Sequence, residues 1–163
     1  MKIKAKRLSD TAKLPTYGSE KAACFDICAD LRPGICLTLN PDADMPKDDD
    51  KSNFLRAGIA PHTTIKIPTG WAFQPPEGYM LQILQRSGLA SKGLICVGGI
   101  VDNDYTGEVV VILLNTTDED IIIHDGDRIA QIALRKYDQA EFELVDELDE
   151  TERGLAGLGS TGV

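Results

Sequence analysis

The stretch EVVVILLNTTDEDIIIHDGDRIAQIALR, Glu108 to Arg135, decides the fold class. It holds three apolar runs, EVVVILLN (108–115), DIIIH (120–124) and RIAQIALR (128–135), parted by NTTDED (115–120) and HDGD (124–127). The runs are too short for independent helices and are rich in β-branched side chains, which pack well on a pleated surface. The Asn, Asp and Gly between them suit tight turns. All three read as strands. VVVILL (109–114) is apolar on both faces, which predicts a strand covered on both sides. In a chain this small the second cover would be another subunit.

The pattern continues outward. IKAKRL (3–8), ICLTL (35–39), TTIKIP (63–68), YMLQILQ (79–85) and AEFELV (140–145) are further short β-rich runs. RPG (32–34), PTG (68–70) and PPEG (75–78) break between them, and QPPEGY (74–79) reads as a tight hairpin. No segment has the spacing of a long amphipathic helix. Many short strands with regular turn signals predict an all-β sandwich, jelly roll or barrel.

With 163 residues the chain suits one domain. Its formal net charge of −9 repels nucleic acid and anionic lipid, so neither is an expected partner. An anionic ligand would need local cations or a metal ion to offset that field. No apolar run follows the basic N-terminus, and VVVILL falls far short of the roughly 20 residues that span a bilayer. Cys24, Cys28, Cys36 and Cys96 lack the paired spacing of a zinc site and read as free, mostly buried thiols. The expectation is a soluble cytoplasmic protein, or one of the host cytoplasm if it acts in an infected cell.

Two segments depart from the strand pattern. NPDADMPKDDDKSN (40–53) is acidic, lacks apolar anchors and reads as an exposed insertion. A calcium-loop reading fails, because Lys47 and Asn53 stand where the EF-hand pattern needs glycine and glutamate. The tail DETERGLAGLGSTGV (149–163) cannot form a core element, with four glycines among its last ten residues. Alone it reads as a mobile tail; with Arg153, Ser160 and Thr161 it is also a candidate phosphate cradle.

Three groups could carry chemistry. In QRSGLASKG (85–93), an arginine, a hydroxyl and a glycine stand together after a strand. Arginine offers a planar charge for phosphate, serine a hydrogen bond, and glycine an amide open to close approach. In GGIVDNDYTGEV (98–109), Gly98 and Gly99 would admit a planar ligand, Asp102 could orient a water, and Tyr105 could cover a sugar or base. GDRIAQ (126–131) is a turn entering a strand. Singly, each is as well read as a surface turn or bulged hairpin. His62 and His124 show no ligand spacing and read as exposed turn residues.

Taken in order, AACFDICA (22–29), QRSGLASKG, GGIVDNDYTGEV, GDRIAQ and RGLAGLGSTG (153–162) resemble the five motifs of the trimeric deoxyuridine triphosphate nucleotidohydrolases, the dUTPases. The resemblance implies a β jelly roll over 1–148, with an arm over 149–163 closing on active sites shared within a homotrimer. It implies Mg2+-assisted hydrolysis of dUTP to dUMP and pyrophosphate. By the same resemblance the backbone of Gly99, Ile100 and Val101 reads the uracil edge. Tyr105 packs on the deoxyribose and excludes a 2′-hydroxyl. Asp102 holds the 3′-hydroxyl and orients the attacking water as general base. Ser87, Gly88 and Gln131 hold phosphate oxygens, Arg86 supports Asp102 and the phosphate region, and Asp26 acts on the Mg2+ shell through water. Arg153 takes the γ-phosphate, and Leu158, Gly159, Ser160, Thr161 and Gly162 close over the nucleotide.

Leu158 stands where the family usually carries a phenylalanine that stacks on uracil, a loss of about 1 kcal/mol of stacking. Ala156 replaces a usual glycine. The related dCTP deaminases share the β-fold, but RSGLA followed by VDNDYTGEV fits the dUTPase pattern better. The 40–53 insertion lies outside the family's common core, and as an exposed acidic surface it is a candidate site for a protein partner.

Overall fold

The computed structural model describes residues 1–32 and 56–155. The strand expected at ICLTL, the acidic insertion, and the arm positions Leu158, Gly159, Ser160, Thr161 and Gly162 lie outside the described residues.

Apart from one helical turn, the regular structure of the described residues is all strand. β1 (Lys4–Arg7), β2 (Thr16–Tyr17) and β3 (Cys24–Cys28) precede β4 (Arg56–Ile59), β5 (Thr64–Pro68) and β6 (Trp71–Gln74). β7 (Tyr79–Leu84) leads into one helical turn, α1 (Ser87–Ala90), and then β8 (Leu94–Cys96) and β9 (Gly99–Val101). β10 (Val110–Asn115), β11 (Ile121–His124) and β12 (Arg128–Lys136) complete the order. All pairings are antiparallel: β2-β3-β12-β7-β9 form the largest sheet, with β5-β10-β8, β11-β4 and β1-β6 beside it. This is the expected all-β jelly-roll architecture.

The core lies between these sheets. Ile27, Ile65, Ile67, Leu81, Val111, Leu113, Ile129 and Ile132 are essentially sealed from solvent. β10 buries Val111, Leu113 and Asn115 on one face, whereas Val110 on the other remains 37% exposed. Among the described residues, therefore, the strand is covered fully on one side only. Asn115 ends the apolar run without leaving buried polar groups unpaired. Its amide nitrogen donates to the carbonyls of Ile59 and Glu119, and its oxygen accepts from the Thr117 amide and hydroxyl. Leu113→Ala should destabilise by about 2–5 kcal/mol through lost burial and a residual cavity. Urea unfolding at fixed protein concentration measures this; a change below about 1 kcal/mol would mean the site collapses to fill the space.

Two expectations are corrected. AEFELV (140–145) alternates like a strand but joins no ladder, and Phe142 and Leu144 are 96% and 97% exposed. Alternation permits a strand, but a strand also needs an edge to pair with, and 140–145 pairs with none of the described edges. QPPEGY makes a turn, with the Tyr79 amide donating to the Pro76 carbonyl, yet it is not a hairpin. β6 pairs with β1 and β7 with β12 and β9, so the turn is a corner between sheets. β2, β3, β4, β6, β8 and β9 have no counterpart among the predicted strands: they are short, or broken by polar residues such as Asp26.

Candidate functional site

The large sheet gathers the four distant motifs. Asp26 on β3 pairs with Gln131 on β12, and Gln131 pairs with Leu84 on β7, two residues before Arg86. One step back along β7, Ile83 pairs with Gly99 on β9. Asp26 and Gly99 are thus three strand spacings apart, about 14 Å. Asp26, Gln131 and Leu84 share the face opposite the buried Phe25, Ile132 and Ile83, because directly paired residues point to the same side.

A bulge supplies another residue to that face. Strict alternation would put Arg128 and Gln131, three apart, on opposite sides of β12. The register shifts between Arg128 and Ala130, and Ile129 and Ala130 are buried consecutively, so Arg128 and Gln131 both face outward. Arg128 Nη1 then donates to Asp26 Oδ2 at 3.1 Å, while Arg86 Nε donates to Asp26 Oδ1 at 3.0 Å. Arg86 Nη1 also donates to the Arg128 carbonyl at 3.0 Å, and Gln131 Nε2 to the Gln85 carbonyl at 2.8 Å. Arg86 is therefore bound to Asp26 and the β12 backbone rather than to Asp102. The sequence reading had assigned no role to Arg128; its place in GDRIAQ, three residues before Gln131, was the available signal.

Arg86, Lys92 and Arg128 line a cavity of about 450 Å³ with Asp127 and the apolar side chains of Leu89, Leu94 and Ile121–Ile123. Cations outnumber acids here, although the whole chain is acidic. Ser87 and Gly88 are exposed at the start of α1 nearby, and a Cβ added at Gly88 would meet nothing. Cys28, paired with Arg128, borders the cluster. Burial, with the Asp26 carboxylate, pushes its thiol pKa up against the pull of Lys13, Arg128 and Arg86. It therefore enters the site neutral rather than as a nucleophilic thiolate.

A second cavity, about 300 Å³, is lined by Ile83, Gly98–Asp102, Tyr105, Glu108–Val110 and Ile112. Gly98 (φ +86°) and Gly99 (φ +150°) take backbone conformations that side-chain-bearing residues resist, which swings β9 onto the β7 edge. Among the described residues β9 is one of the two edge strands of its sheet, so its outer peptide groups face away from any ladder partner. Asp102 follows it, exposed, and its carboxylate has no partner among the described residues. Tyr105 folds back over its own loop, its hydroxyl donating to the Glu108 carbonyl at 2.9 Å. The segment forms no ladder between Gly99–Val101 and β10, so it is a looped strand rather than a hairpin. The two cavities share no lining residue.

Asp26 suits Mg2+ through water better than as a direct ligand. Each of its oxygens already accepts one guanidinium hydrogen bond and keeps lone-pair capacity for a metal-bound water. No cluster of three or more metal-ligating side chains occurs among the described residues. Mg2+ commonly needs none, being held by one or two carboxylates, waters and substrate phosphates. No helix of the described residues is long and apolar enough to cross a membrane.

The dUTPase family model matches residues 55–162. A deoxyuridine 5′-triphosphate nucleotidohydrolase of Desulfotalea psychrophila is 42% identical over 160 residues, covering 96% of this chain and 92% of its own. One from Orientia tsutsugamushi is 36% identical over 169 residues, covering 100% and 99%. Among solved structures, a mutant dUTPase of Staphylococcus bacteriophage 80alpha with dUpNHpp superposes with a TM-score of 0.78 at 23% identity, over 99% of both chains. That last likeness concerns the fold.

Proposed function

The chain belongs to the dUTPase family of nucleotidohydrolases, and from that premise we propose that it hydrolyses dUTP to dUMP and pyrophosphate by water attack on the α-phosphorus. The observation that carries this reading is the row Asp26, Gln131, Leu84 with Gly99 on the next strand, which joins four motifs distant in sequence.

Uracil presents an acceptor, a donor and an acceptor along its pairing edge. The outer peptide groups of Gly99, Ile100 and Val101 can match that order, whereas the exocyclic amine of cytosine would set donor against donor. Tyr105 covers the deoxyribose and leaves no room for a 2′-hydroxyl. Asp102, its carboxylate uncommitted among the described residues, accepts from the 3′-hydroxyl and takes a proton from the attacking water. Arg86, the Ser87 hydroxyl, the Gly88 amide and Gln131 hold the phosphate oxygens in line. Mg2+, when bound through water to Asp26, neutralises triphosphate charge. Arg153 takes the γ-phosphate, and Leu158, Gly159, Ser160 and Thr161 complete an arm (149–163) that excludes bulk water beyond the jelly-roll domain (1–148). Hydrolysis withdraws dUTP from DNA synthesis and releases dUMP for thymidylate synthesis.

The separation of the two cavities supports active sites shared between chains of a homotrimer, the clamp of one facing the nucleoside pocket of another. The open face of β10 and the exposed Phe142, Leu144 and Leu148 are apolar surface that such an assembly would cover. Light scattering should return the mass of three chains.

With Mg2+ present, dUTP, dCTP, UTP and dTTP offered separately should yield pyrophosphate from dUTP alone. Ammonia from dCTP would instead assign the protein to the deaminase branch. Chelation by EDTA should suppress turnover.

A further inference from the structure

An exposed tyrosine that excludes a 2′-hydroxyl works only if its ring stays in place. Tyr105 is 47% exposed, and two contacts within its own loop hold it. Its ring lies on Gly107, where an added Cβ would come within 2.5 Å of the hydroxyl oxygen, and that hydroxyl donates to the Glu108 carbonyl. The stiffness of this acceptor therefore decides the stiffness of the ring.

Glu108 is anchored far from its neighbours in sequence. Its Oε1 accepts from Arg32 Nη2 and from the Gly70 amide, each at 2.7 Å. Arg32 Nε lies 2.9 Å from Asp30 Oδ2. Asp30, 1% exposed, accepts through Oδ1 from the hydroxyls of Thr11 (2.6 Å) and Ser9 (3.2 Å). The next residue is clamped as well: the Val109 amide donates to the Trp71 carbonyl, and its carbonyl accepts from the Thr69 hydroxyl. A polar strut thus runs from the turn at Ser9–Thr11 through Asp30 and Arg32 to the base of the Tyr105 loop. We propose that Glu108, held by Arg32 and the Gly70 amide, positions Tyr105 and thereby sets how strongly the enzyme favours 2′-deoxyribose over ribose. This rests on the reading that Tyr105 faces the sugar.

The test is the ratio of kcat/KM for dUTP to that for UTP in wild type and in Tyr105→Phe, Glu108→Ala, Glu108→Gln and the double variant Tyr105→Phe/Glu108→Ala. The ratio should fall about tenfold in Tyr105→Phe and in Glu108→Ala, the scale of one lost hydrogen bond. It should fall no further in the double variant, because without the hydroxyl the placement of the Glu108 carbonyl no longer bears on the ring. Glu108→Gln keeps an oxygen for the Gly70 amide and Arg32, and should retain most of the ratio. A lowered melting temperature with an unchanged ratio in Glu108→Ala would reduce Glu108 to a structural role, and additive losses in the double variant would show that it acts elsewhere. Either overturns the proposal. If Glu108→Ala does not fold, Tyr105→Phe decides, and an unchanged ratio there overturns it. Tyr105→Ala separates the two layers: if it leaves UTP rejected, the sugar-facing reading itself fails, whereas if it admits UTP and Glu108→Ala does not, only the strut fails.

Discussion

Asp102→Asn should lower kcat for dUTP about a thousandfold, within the range that a positioned general base contributes. The exchange keeps shape and hydrogen-bonding reach but removes the basic oxygen. Asp102 is exposed and makes no side-chain hydrogen bond or ion pair among the described residues, so the fold should not suffer. Affinity for a non-hydrolysable dUTP analogue should change little, since the amide still meets the 3′-hydroxyl. Pyrophosphate release under saturating substrate, with analogue titration alongside, measures both quantities. A kcat within tenfold of wild type would remove Asp102 from the chemistry and send the search for a base to Asp104.

Arg86→Ala should lower kcat/KM by about a hundredfold to a thousandfold, the scale of removing one preorganised charged donor from a phosphoryl site. Arg86 has two tasks here. It offers a guanidinium to the cavity, and it ties Asp26 to the Arg128 carbonyl through bonds of 3.0 Å each. Without it Asp26 would be held by Arg128 alone and could turn away from the phosphates. Arg86→Lys should rescue little, because an ammonium is a point charge that cannot span a carboxylate and a carbonyl as the planar fork does. Steady-state kinetics of both variants against dUTP decides. A lysine variant near wild type would mean that charge alone matters and that the tie to β12 is incidental.

The strands that could be read from sequence were those whose signal is local. β1, β5, β7, β10, β11 and β12 fall within short apolar or alternating runs with Pro, Gly, Asn or Asp turn signals between them, and nothing distant is needed to recognise them. β3 escaped because Asp26 interrupts its apolar side chains, and that interruption is the residue proposed to act on the Mg2+ shell. β8 and β9 are three residues each, too short for a period to emerge. AEFELV failed in the other direction: its pattern is right, but a ladder needs a partner edge, which local sequence cannot supply.

The site divides the same way. Residue types, their order and the glycines around Asp102 and Tyr105 were visible in the chain, because a motif is a local arrangement. That Arg86 would grip Asp26, 60 positions away, was not. Neither was the β12 bulge that turns Arg128 toward the same carboxylate, nor the strut from Asp30 through Arg32 to Glu108. Sequence by itself determined that this is an all-β protein carrying dUTPase motifs, since propensity and motif order act between neighbours. Only the tertiary structure decided which charges meet and which stay free, because strand register and a one-residue bulge are set by packing over the whole sheet.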